Sequence, residues 1–313
     1  MDADRPAGPA LAITDLQKSF GSTRAVAGLD LTVARGEIVG MIGPDGAGKT
    51  TTMRIAMGLL RPDAGQVRVL GADPGQGTPA IKERLGYMPQ RFSLYPDLTV
   101  GENLRFFAEL YLVPAAERER REAELLEFSR LGPFRNRRAG ALSGGMKQKL
   151  ALSCNLVHQP QLLILDEPTT GVDPVSRQEF WQWLRRFAGE GLAILVSTPY
   201  MDEAELCDRV LLMHEGRALA QGTTAEVIAL FPGGLIRVAA GDAQALAALL
   251  HQEGMDPRDA IRFGDSLHLA HPEDGRGRLT GLLAAAGIAH EPIVPGIEDV
   301  FVALVAGPSR ETP

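Results

Sequence analysis

The stretch GPDGAGKTT, residues 43–51, has the residue types and spacing that hold phosphate. Gly43, four residues, then Gly48-Lys49-Thr50 fit a glycine loop set between a strand and a helix. Gly43, Gly46 and Gly48, with small Pro44 and Ala47, let backbone N–H groups curl round phosphate oxygens. The helix that opens at Lys49, Thr50 and Thr51 adds the positive potential of its N-terminus. In such a loop the Lys49 ammonium reaches the β- and γ-phosphates, and the Thr50 hydroxyl ligates Mg2+. Asp45 is expected to point away from the phosphates. QLLILDEP then supplies two carboxylates, Asp166 and Glu167, where an apolar run ends. Asp166 can bind Mg2+ directly or through water, and Glu167 can orient an attacking water or take its proton. A lone DE after a strand says little; after a matching phosphate loop it indicates nucleotide hydrolysis. LSGGMKQ, residues 142–148, adds a capping Ser143 and two glycines, Gly144 and Gly145, that leave backbone amides bare for an anion. In isolation it would read as a glycine-rich cap with no ligand.

Elements must place these groups. LAITDLQKSF and LDLTVARGEIV are rich in branched residues and predict antiparallel strands. EIVGMIG predicts a strand into the loop, with a helix over Lys49–Leu60. QLLILD and LAILVST are near-continuous apolar runs, as strands buried on both faces of a parallel sheet should be. Between the glycine loop and QLLILD lies a helical block, about residues 92–158. VGENLRFFAELYL presents Leu104, Phe107, Ala108 and Tyr111 on one face, and AAERERREAELLEF carries opposite charges at i,i+3 and i,i+4, a solvated surface. After FPGG at 231–234 a smaller βαββαβ alternation follows, consistent with a ferredoxin-like domain, closed by an amphipathic helix in GIEDVFVALV. The expected organisation is a loose tail over 1–10, a main domain over 11–230 and an accessory domain over 231–313.

Composition narrows the classes. A length of 313 residues suits one sizeable core and a smaller domain, at about 150 residues per domain. The net charge of −7 disfavours nucleic acid, and RNRR at 135–138 is too local to reverse that. Two cysteines, Cys154 and Cys207, make no disulfide framework; Cys154 falls on the apolar stripe Met146–Leu150–Cys154–Val157 as core filler. MDADRPAGPA lacks an apolar h-region, and no run approaches the ~20 apolar residues that span a bilayer. Any membrane role needs a separate partner chain.

Together the phosphate loop, LSGGMKQ and LLILDEP resemble ATP-binding cassette (ABC) ATPases over essentially the whole chain. The resemblance implies a P-loop NTPase of the ABC type: a mixed-sheet core, an antiparallel β subdomain and a helical signature subdomain, followed by the small α+β domain. It implies ATP and Mg2+ as cofactors. Phe20 then corresponds to the aromatic that stacks on adenine, with Val26 also at the nucleotide. Gln90 in GYMPQ resembles the Q-loop glutamine that senses Mg2+ and the attacking water. Asp166 and Glu167 become the Walker B aspartate and the catalytic base. Ser143, Gly144 and Gly145 would meet the γ-phosphate of the opposite protomer's ATP, and Asp173 in TGVDP would cross the dimer interface. LYPDLTVGENL and IVPGIEDVFVAL are similar to ABC-2 type exporter cassettes, implying drug, lipid or polysaccharide efflux. The implied partners are ABC-2 permease subunits and a second cassette, either a copy of this chain or a different one. The implied place is the cytoplasmic face of the inner membrane. A nutrient importer's ATPase, a soluble ABC protein of ribosomes or DNA repair, and a regulatory ATP-binding module are the competing readings.

One position departs from the family. The strand after Walker B normally ends in a histidine that contacts the γ-phosphate; here that position, in STPYMDEAE, is Pro199. Proline has no side-chain donor and no N–H. None of the six histidines is near enough in sequence to substitute, and His158, in LVHQP, is expected at a surface or helix end. The consequences are slower hydrolysis, pairing with a histidine-bearing cassette, or binding with little turnover.

Overall fold

The expected run into the loop forms strand β3 (Ile38–Ile42), all five residues buried. In this computed structural model, which describes residues 8–306 except 77–78, 91–93, 257–258 and 273–274, β3 lies inside a six-stranded sheet. Residues 1–7 of the expected tail and residues 92–93 of the expected helical block lie outside the described residues. The sheet order is β5 (Leu85–Met88), β6 (Leu162–Asp166), β7 (Ala193–Thr198), β3, β8 (Arg209–His214), β9 (Arg217–Gly222). The first five are parallel, and β9 returns antiparallel to β8 through a tight turn with Glu215 and Gly216 at positive φ. β6 and β7 are buried at every residue, which accounts for their unbroken apolar sequences.

A second, antiparallel sheet takes the order β2 (Thr23–Val33), β1 (Leu11–Phe20), β4 (Ala64–Val69). Its buried residues join β3, β6, β7 and the first helix in one core. That helix, α1, spans Lys49–Ala56 and stops before the predicted Leu60. Gly58 turns left-handed (φ 67°), and Leu59 N–H donates to Arg54 O at 2.9 Å, a glycine-terminated end. A short α2 (Pro79–Lys82) precedes β5. The helical block contains α3 (Val100–Leu110), capped by Thr99 and Glu102 in a reciprocal box, α4 (Ala115–Phe128) and α5 (Gly144–Leu156). On α3, Leu104 and Ala108 are buried while Phe107 is half-buried; α4 is largely solvated, with an Arg120–Glu124 pair at 2.6 Å. Helix α6 (Pro174–Gly189) precedes β7.

The chain divides into two units between Thr224 and Ala225, inside the short helix α7 (Thr224–Ile228) and ahead of FPGG. The second unit carries β10 (Gly234–Ala239), α8 (Ala243–Gln252), β11 (Ala260–Phe263), β12 (Ser266–His271), α9 (Arg276–Ala285), β13 (His290–Ile293) and α10 (Ile297–Ala306). Its antiparallel sheet runs β11-β12-β10-β13, the ferredoxin-like order. Ile236, Val238, Leu267 and Leu269 pack with Leu246 and Leu250 of α8 and Leu279 and Leu283 of α9 on one face. On the other, His268 meets Asp299 of α10 at 2.7 Å.

Candidate active site

The sheet order puts β7 between β3 and β6, so the glycine loop after β3 and the carboxylates after β6 flank one strand at its C-terminal end. Open α/β sheets place ligands at that edge. The loop follows the path its glycines permit: at Gly48 (φ 102°) a Cβ would lie 2.3 Å from the carbonyl oxygen of Ala25, so no side chain fits. Asp45 is exposed.

Lys49, 3% exposed, donates to Gly43 O at 2.6 Å and Pro44 O at 3.0 Å, and its ammonium lies 3.6 Å from Glu167 Oε1. Thr50 Oγ1 donates to Asp166 Oδ1 at 3.1 Å. Gln90 Nε2 donates to Glu167 Oε2 at 2.7 Å, across 77 positions of sequence, and Thr170 Oγ1 approaches the same oxygen at 3.4 Å. Five of the expected residues, Lys49, Thr50, Gln90, Asp166 and Glu167, therefore form one connected cluster. Its two carboxylates are 1% and 6% exposed. Buried charges persist when they are paired, and here one ammonium and a set of donors answer two carboxylates.

Glu167 has φ 50°, a conformation that costs a non-glycine residue about 1 kcal/mol or more. The strain turns its side chain back toward Lys49 and Gln90. The donor set is all oxygen around Thr50 and Asp166, as a hard cation requires. Among the described residues no group of three or more His, Cys, Asp or Glu side chains could hold a metal alone. A cation at Thr50 and Asp166 would take the rest of its ligands from phosphate and water, the habit of magnesium. The residues present fit that ion.

Ser143, Gly144, Gly145 and Asp173 gather at a second place. Ser143 Oγ accepts from Met146 N at 3.4 Å to cap α5, and Asp173 Oδ1 accepts from Ser176 N at 2.9 Å to cap α6. The Ser176 N–H, with the Ser176 hydroxyl, lowers the Asp173 pKa. The two helix starts abut: a Cβ on Gly145 would lie 2.5 Å from Ser176 Oγ. Phe20 ends β1 half-exposed, with the Lys18 ammonium 5.6 Å from its ring centroid. Val26 is fully buried in the core, so its side chain faces away from solvent.

Sequence reasoning missed Ser197, at the end of β7 beside Asp166 in the ladder. Its Oγ donates to Asp166 Oδ1 at 2.7 Å and accepts from Glu167 N at 3.0 Å. A hydroxyl one residue before the end of an apolar strand was the available signal. Thr198 O accepts from Gly43 N at 3.3 Å, and Thr198 Oγ1 from Tyr200 N at 3.0 Å. Pro199, half-buried, follows directly. Beyond it the Arg177 guanidinium stacks on the Tyr200 ring at 4.3 Å, and Glu203, 1% exposed, accepts from Thr169 Oγ1 at 2.7 Å. His158 is at a helix end and half-buried. Its ring stacks on Tyr111 at 3.8 Å and Nε2 donates to Leu85 O at 2.9 Å, the aromatic partner having been hidden by a separation of 47 residues.

The family described as ABC transporter matches residues 26–170. The chain is 55% identical over 214 residues to the probable multidrug ABC transporter ATP-binding protein YbhF of Escherichia coli (strain K12), covering 68% of this chain and 37% of that one. It thus spans little more than a third of YbhF. It is 38% identical over 299 residues to the Nod factor export ATP-binding protein I of Rhizobium sp. (strain N33), covering 94% and 96% of the two chains. Among solved structures, cbiO1 from Clostridium perfringens, part of the ABC transporter complex cbiONQ, superposes with TM-score 0.65 at 27% identity over 79% of this chain and 97% of that one. With the phosphate loop, the carboxylate pair and the capped LSGG helix all in place, and a relative matched over 94% of this chain and 96% of its own, the chain belongs to the ABC transporter family as an ATP-binding subunit.

Proposed function

We propose that the chain binds and hydrolyses ATP, closing as a dimer around nucleotide to drive an ABC-2 type exporter from the cytoplasmic face of the membrane. The observation that carries this reading is the cluster beside the glycine loop in which the buried Lys49 and Glu167 are in contact with each other and Glu167 with the exposed Gln90. The multidrug and Nod factor names of the relatives favour export, of a drug, lipid or polysaccharide. Among the described residues no helix is long and apolar enough to cross a membrane, so translocation falls to permease chains.

Phosphate entering the loop replaces the Gly43 and Pro44 carbonyls as partner of the Lys49 ammonium. Mg2+, held by Thr50 and, directly or through water, by Asp166, would neutralise phosphate charge. Gln90 and Glu167 together orient a water. That water forms the new P–O bond, its proton passes to Glu167, and the β,γ-bridging P–O bond breaks to leave ADP and phosphate. The signature patch of Ser143–Gly145 and Asp173 completes the site of a second cassette, which makes the dimer head-to-tail. Binding energy at closure, more than bond cleavage, moves the permease.

Pro199 supports a second reading, a catalytically weakened partner in a heteromeric transporter, because its position offers the phosphoryl group no donor. ATPase assays of the purified chain beside Glu167→Gln separate the two. Hydrolysis well above the variant supports the first; a rate equal to the variant removes the enzyme reading at this site.

A further inference from the structure

Strand β7 touches both halves of the nucleotide site, and it does so through polar atoms at an otherwise apolar strand's end. Ser197 is fully buried. Its hydroxyl has one proton and two lone pairs. The proton goes to Asp166 Oδ1 at 2.7 Å, and a lone pair takes the Glu167 N–H at 3.0 Å. The Ser197 carbonyl accepts the same N–H at 3.2 Å.

Two consequences follow from this pair of bonds. The rotation of a carboxylate about its last torsion is broad and weakly restrained by itself. At Asp166 two hydroxyls, Ser197 and Thr50, converge on the same oxygen and fix that rotation. The peptide that enters Glu167 at φ 50° is strained, and Ser197 grips its N–H from two atoms. One side chain thus aims the carboxylate offered to the cation and holds the turn that aims the carboxylate offered to water. A buried serine that merely needed a partner could have bonded a backbone carbonyl, as Ser153 does with Lys149 O within α5.

We infer that Ser197 is a positioning residue of the magnesium–nucleotide site, setting the orientation of Asp166 and the backbone of Glu167 through one hydroxyl. The role presupposes that the loop binds ATP with Mg2+, as proposed above. It also assigns to the end of β7 a task that does not depend on residue 199: the strand serves the site through Ser197 and Thr198, one step before the proline.

The test uses the full chain and a fluorescent ATP analogue. Its affinity is measured in EDTA and across a Mg2+ titration, for wild type, Ser197→Ala and Ser197→Thr, with thermal unfolding of each sample. Outer-shell partners of metal ligands typically contribute ten- to hundred-fold in metal affinity. Ser197→Ala is expected to leave binding in EDTA unchanged and to raise the half-effective Mg2+ concentration roughly ten-fold or more. Its kcat falls while KM stays near wild type. Ser197→Thr, which keeps the hydroxyl, restores the Mg2+ response even if its melting temperature drops. Should the alanine variant not fold, Ser197→Cys, nearly isosteric and a weak donor, takes its place with the same expected shift. A wild-type Mg2+ response in the alanine or cysteine variant overturns the inference. Wild-type protein with no Mg2+-dependent nucleotide binding overturns the nucleotide reading, and the role of Ser197 with it.

Discussion

Strands β6 and β7 lie side by side and are buried along their whole length, yet their ends are built differently. β6 ends in two carboxylates, one of them on a strained backbone. β7 ends in two hydroxyls and a proline, with no carboxylate, ammonium or guanidinium until Asp202. The first end carries the groups that would do chemistry. The second carries only groups that hold others in place. A site can thus retain its reactive end while losing a contact from the supporting end, as long as the support that remains is polar and well aimed.

The sharpest way to break this comparison is Glu167→Gln. If β6 alone carries the chemistry, hydrolysis falls by about 10²–10⁴-fold in a coupled ATPase assay while nucleotide binding persists. An unchanged rate would put the base elsewhere.

The opposite end of the sheet offers a contrast in which burial, not charge pairing, sets a titration. Burial is the chief cause that lowers the His158 pKa from 6.5 to about 4, outweighing the Leu85 carbonyl that favours its N–H; Arg121 adds to the lowering. The folded ring holds a proton less tightly than the unfolded one. Stability is therefore fully present above pH 6.5 and declines as pH falls from 6.5 toward 4, by up to about 3 kcal/mol. Urea unfolding across that range should show the decline in wild type and lose it in His158→Gln.

Gly145→Ala probes the other helix starts. Its new Cβ meets Ser176 Oγ, and the strain should cost about 1–3 kcal/mol in thermal unfolding. A Gly145→Ala, Ser176→Gly double variant should recover most of it.

Pro199→His is the mildest change and the most direct on the supporting end. It adds a donor beside the transferring phosphoryl group and should raise the ATPase rate about ten-fold, less than a donor that evolved in place would give. A rate that does not rise would mean that Ser197, Thr198 and the neighbouring groups already suffice.

Much of this was legible in the sequence, and for a common reason. The glycine loop, the apolar strands and the capped LSGG helix are local patterns, each set by residues a few positions apart. The cluster that joins Gln90 to Glu167 was reached only through the family resemblance. Ser197 was missed because its partners lie about 30 positions away and meet it only through the register that pairs Asp166 with Ser197. The end of α1 was legible and misread: Gly58 stood inside the predicted helix, and its left-handed turn ended it. His158 owes its environment to Tyr111 and Leu85, which no periodicity connects. Val26, placed near nucleotide by resemblance, has a fully buried side chain whose environment no local pattern announced.

Both cysteines of the chain, Cys154 and Cys207, are buried as free thiols, and burial raises both pKa values, that of Cys207 to about 12. Thiolate is the reactive form, so neither sulfur competes for an alkylating dye at neutral pH. A single cysteine introduced at an exposed position, such as Val294 in the second unit or Leu59 after α1, would then be the one fast-reacting site. The native chain is its own background for spectroscopic labelling, and distances between two cassettes could be followed through a nucleotide cycle without first removing any residue from the core.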